Sequence, residues 1–287
     1  MLPGFKPLPE PSALPSGLRL LGYALPAAVS PGEAATLALL WSLPPDFAAY
    51  RDLAREFIVF SHAVDHAGRV VDNYESEFLR DEYWRGGDRL VTFHRHEIPA
   101  GDGPELLWFD LGAYLRVDHA AIPWRDGRAP KLGPLKVSPP KAVPPPQVAA
   151  GFRFGAALAL EGYGLAPREP VAGERLRVDL HWRALSRPDG DFAVSVQVLD
   201  GAGRLVAQHD GPPAGGDYPT GYWEEGEVVL DSHEVELPRG ISPGAYSLVV
   251  VVYDAATHER LPVAKANELP RSDSACLGSL RVGSASR

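Results

Sequence analysis

Residues 22–41 read GYALPAAVSPGEAATLALLW, and residues 162–182 read GYGLAPREPVAGERLRVDLHW. Each stretch opens on Gly-Tyr and reaches a Gly-Glu pair. Each then closes on alternating apolar residues, Leu37, Leu39, Trp41 in one and Val178, Leu180, Trp182 in the other. A motif recurring after about 140 residues is the signature of a duplicated unit. The alternation at its end is that of a half-buried strand, one face apolar and the other polar.

The match continues along the chain. Phe57-x-Val59 and Asp65-x-x-Gly68-Arg69-x-Val71 correspond to Phe192-x-Val194 and Asp200-x-x-Gly203-Arg204-x-Val206. Tyr83-Trp84-x-x-Gly87-Asp88 corresponds to Tyr222-Trp223-x-x-Gly226-Glu227, and His94, Pro99, Tyr114, His119 and Pro123 to His233, Pro238, Tyr253, His258 and Pro262. Leu132-Gly133-x-Leu135-x-Val137 closes one copy and Leu277-Gly278-x-Leu280-x-Val282 the other. The copies span 17–138 and 151–283, and the small changes in offset are loop insertions. Residues 139–150 between them are proline-rich, which predicts a stiff, extended spacer. Residues 1–16 are also proline-rich and are expected to run along the surface or to be disordered.

Strand patterns fill both copies. Phe192, Val194, Val196 and Val198 alternate with Ala193, Ser195 and Gln197, and Asp200–Gly203 turns the chain back into a hairpin partner. The run SPGAYSLVVVVYD is apolar on both faces, as in a central, covered strand, and Tyr246 at its entry has the placement of a tyrosine corner. About seven strands per copy with frequent turns predict an all-β chain of two tandem antiparallel Ig-like β-sandwiches. The loop between Trp41 and Phe57 is longer than its counterpart, and its extra stretch, Asp46–Glu56, predicts one short helix inserted in the first copy.

Composition bounds the function. The chain has 287 residues and a formal net charge of −9, with no Lys/Arg-rich run, which argues against nucleic acid and anionic membranes as partners. Its longest apolar run is far too short to span a membrane, so no membrane insertion is expected of this chain. The N-terminus has no basic start and no apolar core, so no export signal is expected. Cys276 is the single cysteine, which excludes an intrachain disulfide and reads as a small buried hydrophobe.

The segments LEGYGL…GERLRVDLHW, VLDGAGRLVAQHDGPPAGGDYPTGYWEEGEVVLDSHEVELP and PGAYSLVVVVYDAATHERLPV resemble a β-sandwich domain. It is the extracytoplasmic, C-terminal accessory domain of some bacterial membrane glycosyltransferases of the dolichyl-phosphate-mannose mannosyltransferase type. The resemblance covers 157–283 and, more weakly but colinearly, 17–138. It implies a non-catalytic, carbohydrate-binding-like accessory module in an extracytoplasmic, cell-envelope setting. This chain has no counterpart of that family's membrane helices or membrane-embedded carboxylates, so transferase activity does not follow. The implied partner is a glycan or cell-envelope polymer. The alternative is a structural or assembly role, with a sandwich face or edge docking another protein or a second copy.

Sugar-binding modules stack pyranose rings on exposed aromatic side chains. Trp41 and Trp182 share the inward parity of their strands. The loop aromatics Tyr83, Trp84, Tyr218, Tyr222 and Trp223 are therefore the candidate ligand-binding residues, while the recurrence of Trp84 and Trp223 in both copies favours their closing the end of each sandwich as lids. Trp108 and Trp124 have no aromatic counterpart in the second copy. With Phe109 and with Phe60, on the second apolar face of its strand, they are candidate interface residues.

No catalytic constellation, cofactor or metal site is expected. There is no nucleophile elbow and no phosphate-binding glycine loop. Glu224-Glu225 and Asp81-Glu82 are adjacent acids, which point apart on a strand rather than into one cleft. Asp189-Gly190-Asp191 is too short for a calcium loop. A metal site would have to combine His62, His66, His94 and His96 in the first copy alone. His94 and His233 instead read as inward, hydrogen-bonded structural histidines, and His119 and His258 as turn residues.

Overall fold

The computed structural model describes residues 4–49, 57–77, 84–101, 104–265, 268–270 and 272–284. The chain divides into two compact units, Met1–Ser138 and Pro139–Arg287, each an all-β sandwich. Among the described residues no helix is long and apolar enough to cross a membrane.

In the first unit one sheet has the order β1 (Lys6–Ala13), β2 (Arg19–Ala24), β4 (Ala34–Ser42), β7 (Arg89–Glu97). The facing sheet has the order β3 (Ala28–Val29), β9 (Lys131–Val137), β8 (Glu105–Leu115), β5 (Phe57–Val64), β6 (Val70–Glu77). In the second unit one sheet runs β15 (Val228–Glu236), β12 (Arg175–Ala184), β11 (Leu158–Ala166), β10 (Val148–Phe154), β17 (Val263–Lys265). Facing it are β14 (Leu205–Gly211), β13 (Phe192–Leu199), β16 (Gly244–Asp254) and β18 (Ala275–Val282). The two orders correspond except for β17, which pairs with β10 and has no counterpart beside β1 among the described residues. The short parallel pairing of β3 with β9 has its counterpart in a parallel bridge between Val171 and Gly283.

The Gly-Tyr motif has a physical reason in both units. Gly22 and Gly162 each lie at a register shift, where a Cβ would stand 2.5 Å from a carbonyl oxygen of the neighbouring strand, Lys6 O or Val148 O. The tyrosine that follows crosses the core. Tyr23 Oη donates to Gly133 O at 3.0 Å and Tyr163 Oη to Leu277 O at 3.2 Å, tying one sheet to the other. Trp41 and Trp182 fill the two cores. Tyr246 Oη donates to Ser242 O at 2.9 Å, the bond that defines a tyrosine corner.

Three local expectations are corrected, and a fourth falls largely outside the described residues. Residues 6–13 are not a surface tail but an edge strand paired with β2. Pro7, Pro9 and Pro11 tolerate extended backbone, and proline at an edge removes donors that a foreign strand could use. Strand β10 likewise begins at Val148, inside the expected spacer. Cys276 is exposed rather than buried, because the register shift between Leu248 and Val249 puts Ala275 into the core instead. Of the expected helix over 46–56, residues Phe47–Ala49 form a single 3-10 turn, and 50–56 lie outside the described residues.

Candidate functional site

The loop aromatics of the second unit divide sharply. Tyr218 and Trp223 are fully buried, which removes both as ligand platforms. Pro219 and the 3-10 turn Thr220–Tyr222 fold the segment back onto the sandwich. Trp223 Nε1 donates to Tyr218 O at 3.0 Å, and the two rings stack at 6.2 Å. Tyr218 Oη lies 2.7 Å from Glu227 Oε2, and burial together with that carboxylate pushes the phenol far above its usual range. Tyr222, between them, faces outward and is 39% exposed. In the first unit Trp84 is half-buried against the core, its ring 5.9 Å from that of Phe47. Tyr83 lies outside the described residues.

Tyr222 stands in an open groove of about 630 Å³, shared with Arg187, Asp189, Asp191 and Gly221. Two chain segments thirty residues apart make its walls, and hydrogen bonds hold them together. Thr220 Oγ1 donates to Gly190 O at 2.8 Å and accepts from Phe192 N–H at 2.8 Å. Gly221 N–H donates to Asp191 Oδ1 at 3.0 Å, and Arg187 Nε donates to Gly221 O at 3.2 Å. These four bonds fix the walls before any ligand arrives, so binding would spend little on ordering them. The groove offers an aromatic face, two carboxylates and a guanidinium, which suits a ligand carrying both an apolar ring face and many hydroxyls.

The expected interface residues also divide. Phe109 and Trp124 belong to the core of the first unit, which corrects their reading as surface contacts. Phe109 shares the inward face of β8 with Leu107, Leu111 and Ala113. Trp124 is folded over the sandwich by a bond from Ile122 N–H to Ala113 O, and stacks on Trp41 at 6.3 Å. Phe60 and Trp108 are half-buried on the opposite face of that sheet. Phe60 lies over Gly112, whose Cβ would come 2.0 Å from its ring, and packs 6.0 Å from Tyr114. Lys131 Nζ sits 5.5 Å above the Trp108 ring.

The histidines do not converge on one point. Ser61 and His62 are neighbours on β5, so when Ser61 faces the core His62 faces away. His66 is exposed in the hairpin turn. His94 and His96 are wholly buried. Among the described residues no group of three or more His, Cys, Asp or Glu side chains is arranged to hold a metal ion.

His94 and His96 instead belong to a buried chain of hydrogen bonds that the sequence reading missed. His94 Nδ1 lies 2.7 Å from Ser61 Oγ, Ser61 Oγ lies 2.8 Å from His96 Nε2, and His96 Nδ1 lies 3.0 Å from Asp72 Oδ2. The acceptor-only carboxylate fixes every proton. His96 donates from Nδ1, so its Nε2 accepts from Ser61, and Ser61 in turn accepts from His94 Nδ1–H. This pattern is that of two neutral imidazoles, the form that burial favours. Burial and the neighbouring His96 hold His94 down to about 3, and burial lowers His96 against the pull of Asp72. Serine, histidine and aspartate here have the contacts of a hydrolytic triad. Ser61 is fully buried between the sheets, however, and no acyl group can reach it.

The second unit builds its polar core differently. Its His233 Nε2 donates to Asp231 Oδ2 at 2.8 Å, and that buried carboxylate also accepts from Trp182 Nε1 at 3.2 Å and from Ala214 N–H at 3.0 Å. His209 Nδ1 lies 2.9 Å from His233 Nδ1. Where the first unit has Ser61 and His96, the aligned positions are Val196 and Val235, both buried. His119 and His258 adopt left-handed backbone, with φ of 57° and 62°, and stack on Tyr114 and Tyr253.

No protein-family profile matches the sequence, and no curated protein matches it. Among solved structures it is similar to a β-glucuronidase of Bacteroides uniformis at 11% identity and a TM-score of 0.28, covering 80% of this chain and 25% of that one. Bacteroides uniformis β-glucuronidase 2, covalently bound to cyclophellitol-6-carboxylate aziridine, is similar at 12% identity and a TM-score of 0.26, with the same coverage. The chain thus spans a quarter of the length of these enzymes, and a likeness this slight says nothing about chemistry.

Proposed function

We propose that this protein is a non-catalytic recognition module that binds a glycan or cell-envelope polymer through the Tyr222 groove of its second unit. The observation that carries the reading is the convergence of exposed Tyr222 with Arg187, Asp189 and Asp191 in one prebuilt groove. An aromatic ring covers the apolar face of a pyranose, while carboxylates and a guanidinium take its hydroxyls. The resemblance to accessory domains of membrane glycosyltransferases supports the same setting and an extracytoplasmic location. The test is a screen of the purified chain against bacterial polysaccharides, with Tyr222→Ala and Asp189→Asn as variants. Saturable binding lost in both, with unchanged melting, supports the reading. Binding that both variants retain places the site elsewhere.

One contrast favours assembly as a second reading. On the outer face of β4 and β7, Phe93 stands 61% exposed opposite the buried Ala38, beside half-buried Val91 opposite the buried Leu40. The aligned face of the second unit carries Asp179 opposite Ser232, beside the ion pairs of Arg175 and Arg177 with Glu234, Glu236 and Asp179. Self-association by light scattering that Phe93→Ser removes, with no glycan bound, would favour this reading instead.

A further inference from the structure

The first unit has a cavity of about 510 Å³ whose chemistry differs from that of the Tyr222 groove. Arg19, Arg125, Ser42 and Asp46 line it, together with Pro44 and Pro45. Arg19 on β2 stands directly opposite Ser42 on β4, and Ser42 opposite Arg89 on β7. Directly opposed residues share a face, so the row adds a third guanidinium beside the cavity. Arg125 enters from the loop after Trp124 and is held in place. Its backbone N–H donates to Ala13 O at 2.8 Å and its Nη2 to Pro15 O at 3.1 Å, while Nε and Nη1 keep their donors.

Neither Arg19 nor Arg125 has an ion-pair partner among the described residues. The second unit shows the internally neutralised alternative. At the position aligned with Ser42 it has Arg183, clamped by both carboxylate oxygens of Glu161. The corner also holds two buried polar atoms with no hydrogen-bond partner, Ser16 Oγ and Trp124 Nε1, each next in sequence to a lining residue. Like charges gathered in a concavity repel one another unless something neutralises them, and a concave wall focuses their field on whatever enters.

We infer that this cavity is a binding site for a carboxylate-bearing saccharide. Guanidinium forks match a carboxylate edge to edge. Asp46 on the wall opposes a doubly charged phosphate but accepts hydroxyl protons, and Ser42 both donates and accepts. A sugar acid with one negative charge and several hydroxyls satisfies all four groups. The site belongs to the first unit, and its reading does not depend on that of the Tyr222 groove.

The test is nuclear magnetic resonance titration of the whole chain at low salt with galacturonate, galactose and inorganic phosphate. Galacturonate is expected to shift the resonances of residues 17–19, 42–46 and 125 saturably, with galactose and phosphate at least about tenfold weaker. Arg19→Gln removes a charge from an exposed strand position that carries no hydrogen bond of its own, and Arg125→Gln removes the second. Each is expected to weaken galacturonate by about tenfold or more, Arg19→Gln without moving the melting temperature and Arg125→Gln with at most the small loss of its bond to Pro15 O. Tyr222→Ala is expected to leave these shifts unchanged. Equal response to galactose, tighter binding of phosphate, indifference to both arginine variants, or no shift with about 20 mM galacturonate each overturns the inference.

Discussion

Mild acid should destabilise the first unit from its own interior, well above the range in which carboxylates titrate. His94 is neutral in the folded state and is held down to about 3 by burial and by His96. Unfolding releases it to the ordinary imidazole value of about 6.5. Its depressed folded value means that its contribution is fully present above about pH 6.5 and is lost progressively as the pH falls from there toward about 3. Each proton taken up only by the unfolded chain costs about 1.4 kcal/mol per pH unit, so His94 alone removes about 2 kcal/mol between neutral pH and pH 5. His96, also lowered, acts in the same direction. Asp65, Asp200 and Asp254 are lowered as well, Asp65 by Arg69, Asp200 by the backbone and side chain of Arg204, and Asp254 by backbone donors. Their stabilisation is lost as the pH falls from the ordinary carboxylate value, about 4, through their lower folded values, so it leaves the window above about pH 5 nearly flat. The assay is urea unfolding at pH 7.5, 6.0 and 5.0 with hydrogen exchange read separately over residues 1–138 and 139–287, for the wild-type chain and for His94→Leu. The wild-type first unit should lose stability steadily across the window, and His94→Leu should shed about one proton of that slope. His181 of the second unit, lowered by burial, is untouched by the substitution and serves as an internal reference. An identical slope in the variant, or stability that rises as the pH falls, would refute the assignment of His94 as a buried neutral base.

Two further outcomes follow from the polar cores. Asp231→Ala orphans Trp182 Nε1, His233 Nε2–H and Ala214 N–H at once and should cost the second unit about 3–5 kcal/mol in urea unfolding. A loss below about 1 kcal/mol would mean that water satisfies those donors. Ser61→Val should cost the first unit about 1–3 kcal/mol by breaking both histidine contacts. Adding His96→Val should cost less than its effect alone, because the two side chains share one bond. A double-mutant cycle whose costs simply add would show that Ser61 and His96 act independently.

Much of this fold can be read from alternation. Trp41, Trp182, His94 and His233 sit on the inward parity of their strands, and all four are buried. Phe109 was also legible, since Leu107, Phe109, Leu111 and Ala113 alternate with Trp108, Asp110 and Gly112; reading it as a surface residue ignored its own strand. Tyr218 and Trp223 were not legible by that route, because the segment between Gly211 and Val228 has no strand period to fix inside from outside. Their burial comes from Pro219, Thr220 and the bond from Trp223 to the Tyr218 carbonyl. Cys276 fails for a different reason: a register shift of one residue reverses every side chain beyond it. The groove is the least legible feature. Asp189 and Tyr222 are far apart in sequence, and four hydrogen bonds, two of them made by the Thr220 hydroxyl, bring their segments together.

Two units whose strand orders correspond apart from β17 also allow each to serve as the control for the other. Differences in the core come in matched sets. Ser61 and His96 are hydrogen-bonded to each other where Val196 and Val235 stand in the second unit, and Asp231 collects three donors where Thr92 accepts only the indole of Trp41. A buried polar group that lacks its partner costs more than the pair contributes, so such positions change together or not at all. Differences at the surface carry no such constraint. Arg183 is ion-paired with Glu161, whereas Arg19 faces a cavity whose one carboxylate, Asp46, makes no ion pair with it. A compensated difference is explained by packing alone. A charge with no ion pair among the described residues, set in a concavity, is not explained by packing and is the feature on which the proposed binding site rests. By that criterion the buried Ser61–His96–Asp72 chain is architecture despite its catalytic outline, and the exposed arginines and Tyr222 are where recognition is to be sought.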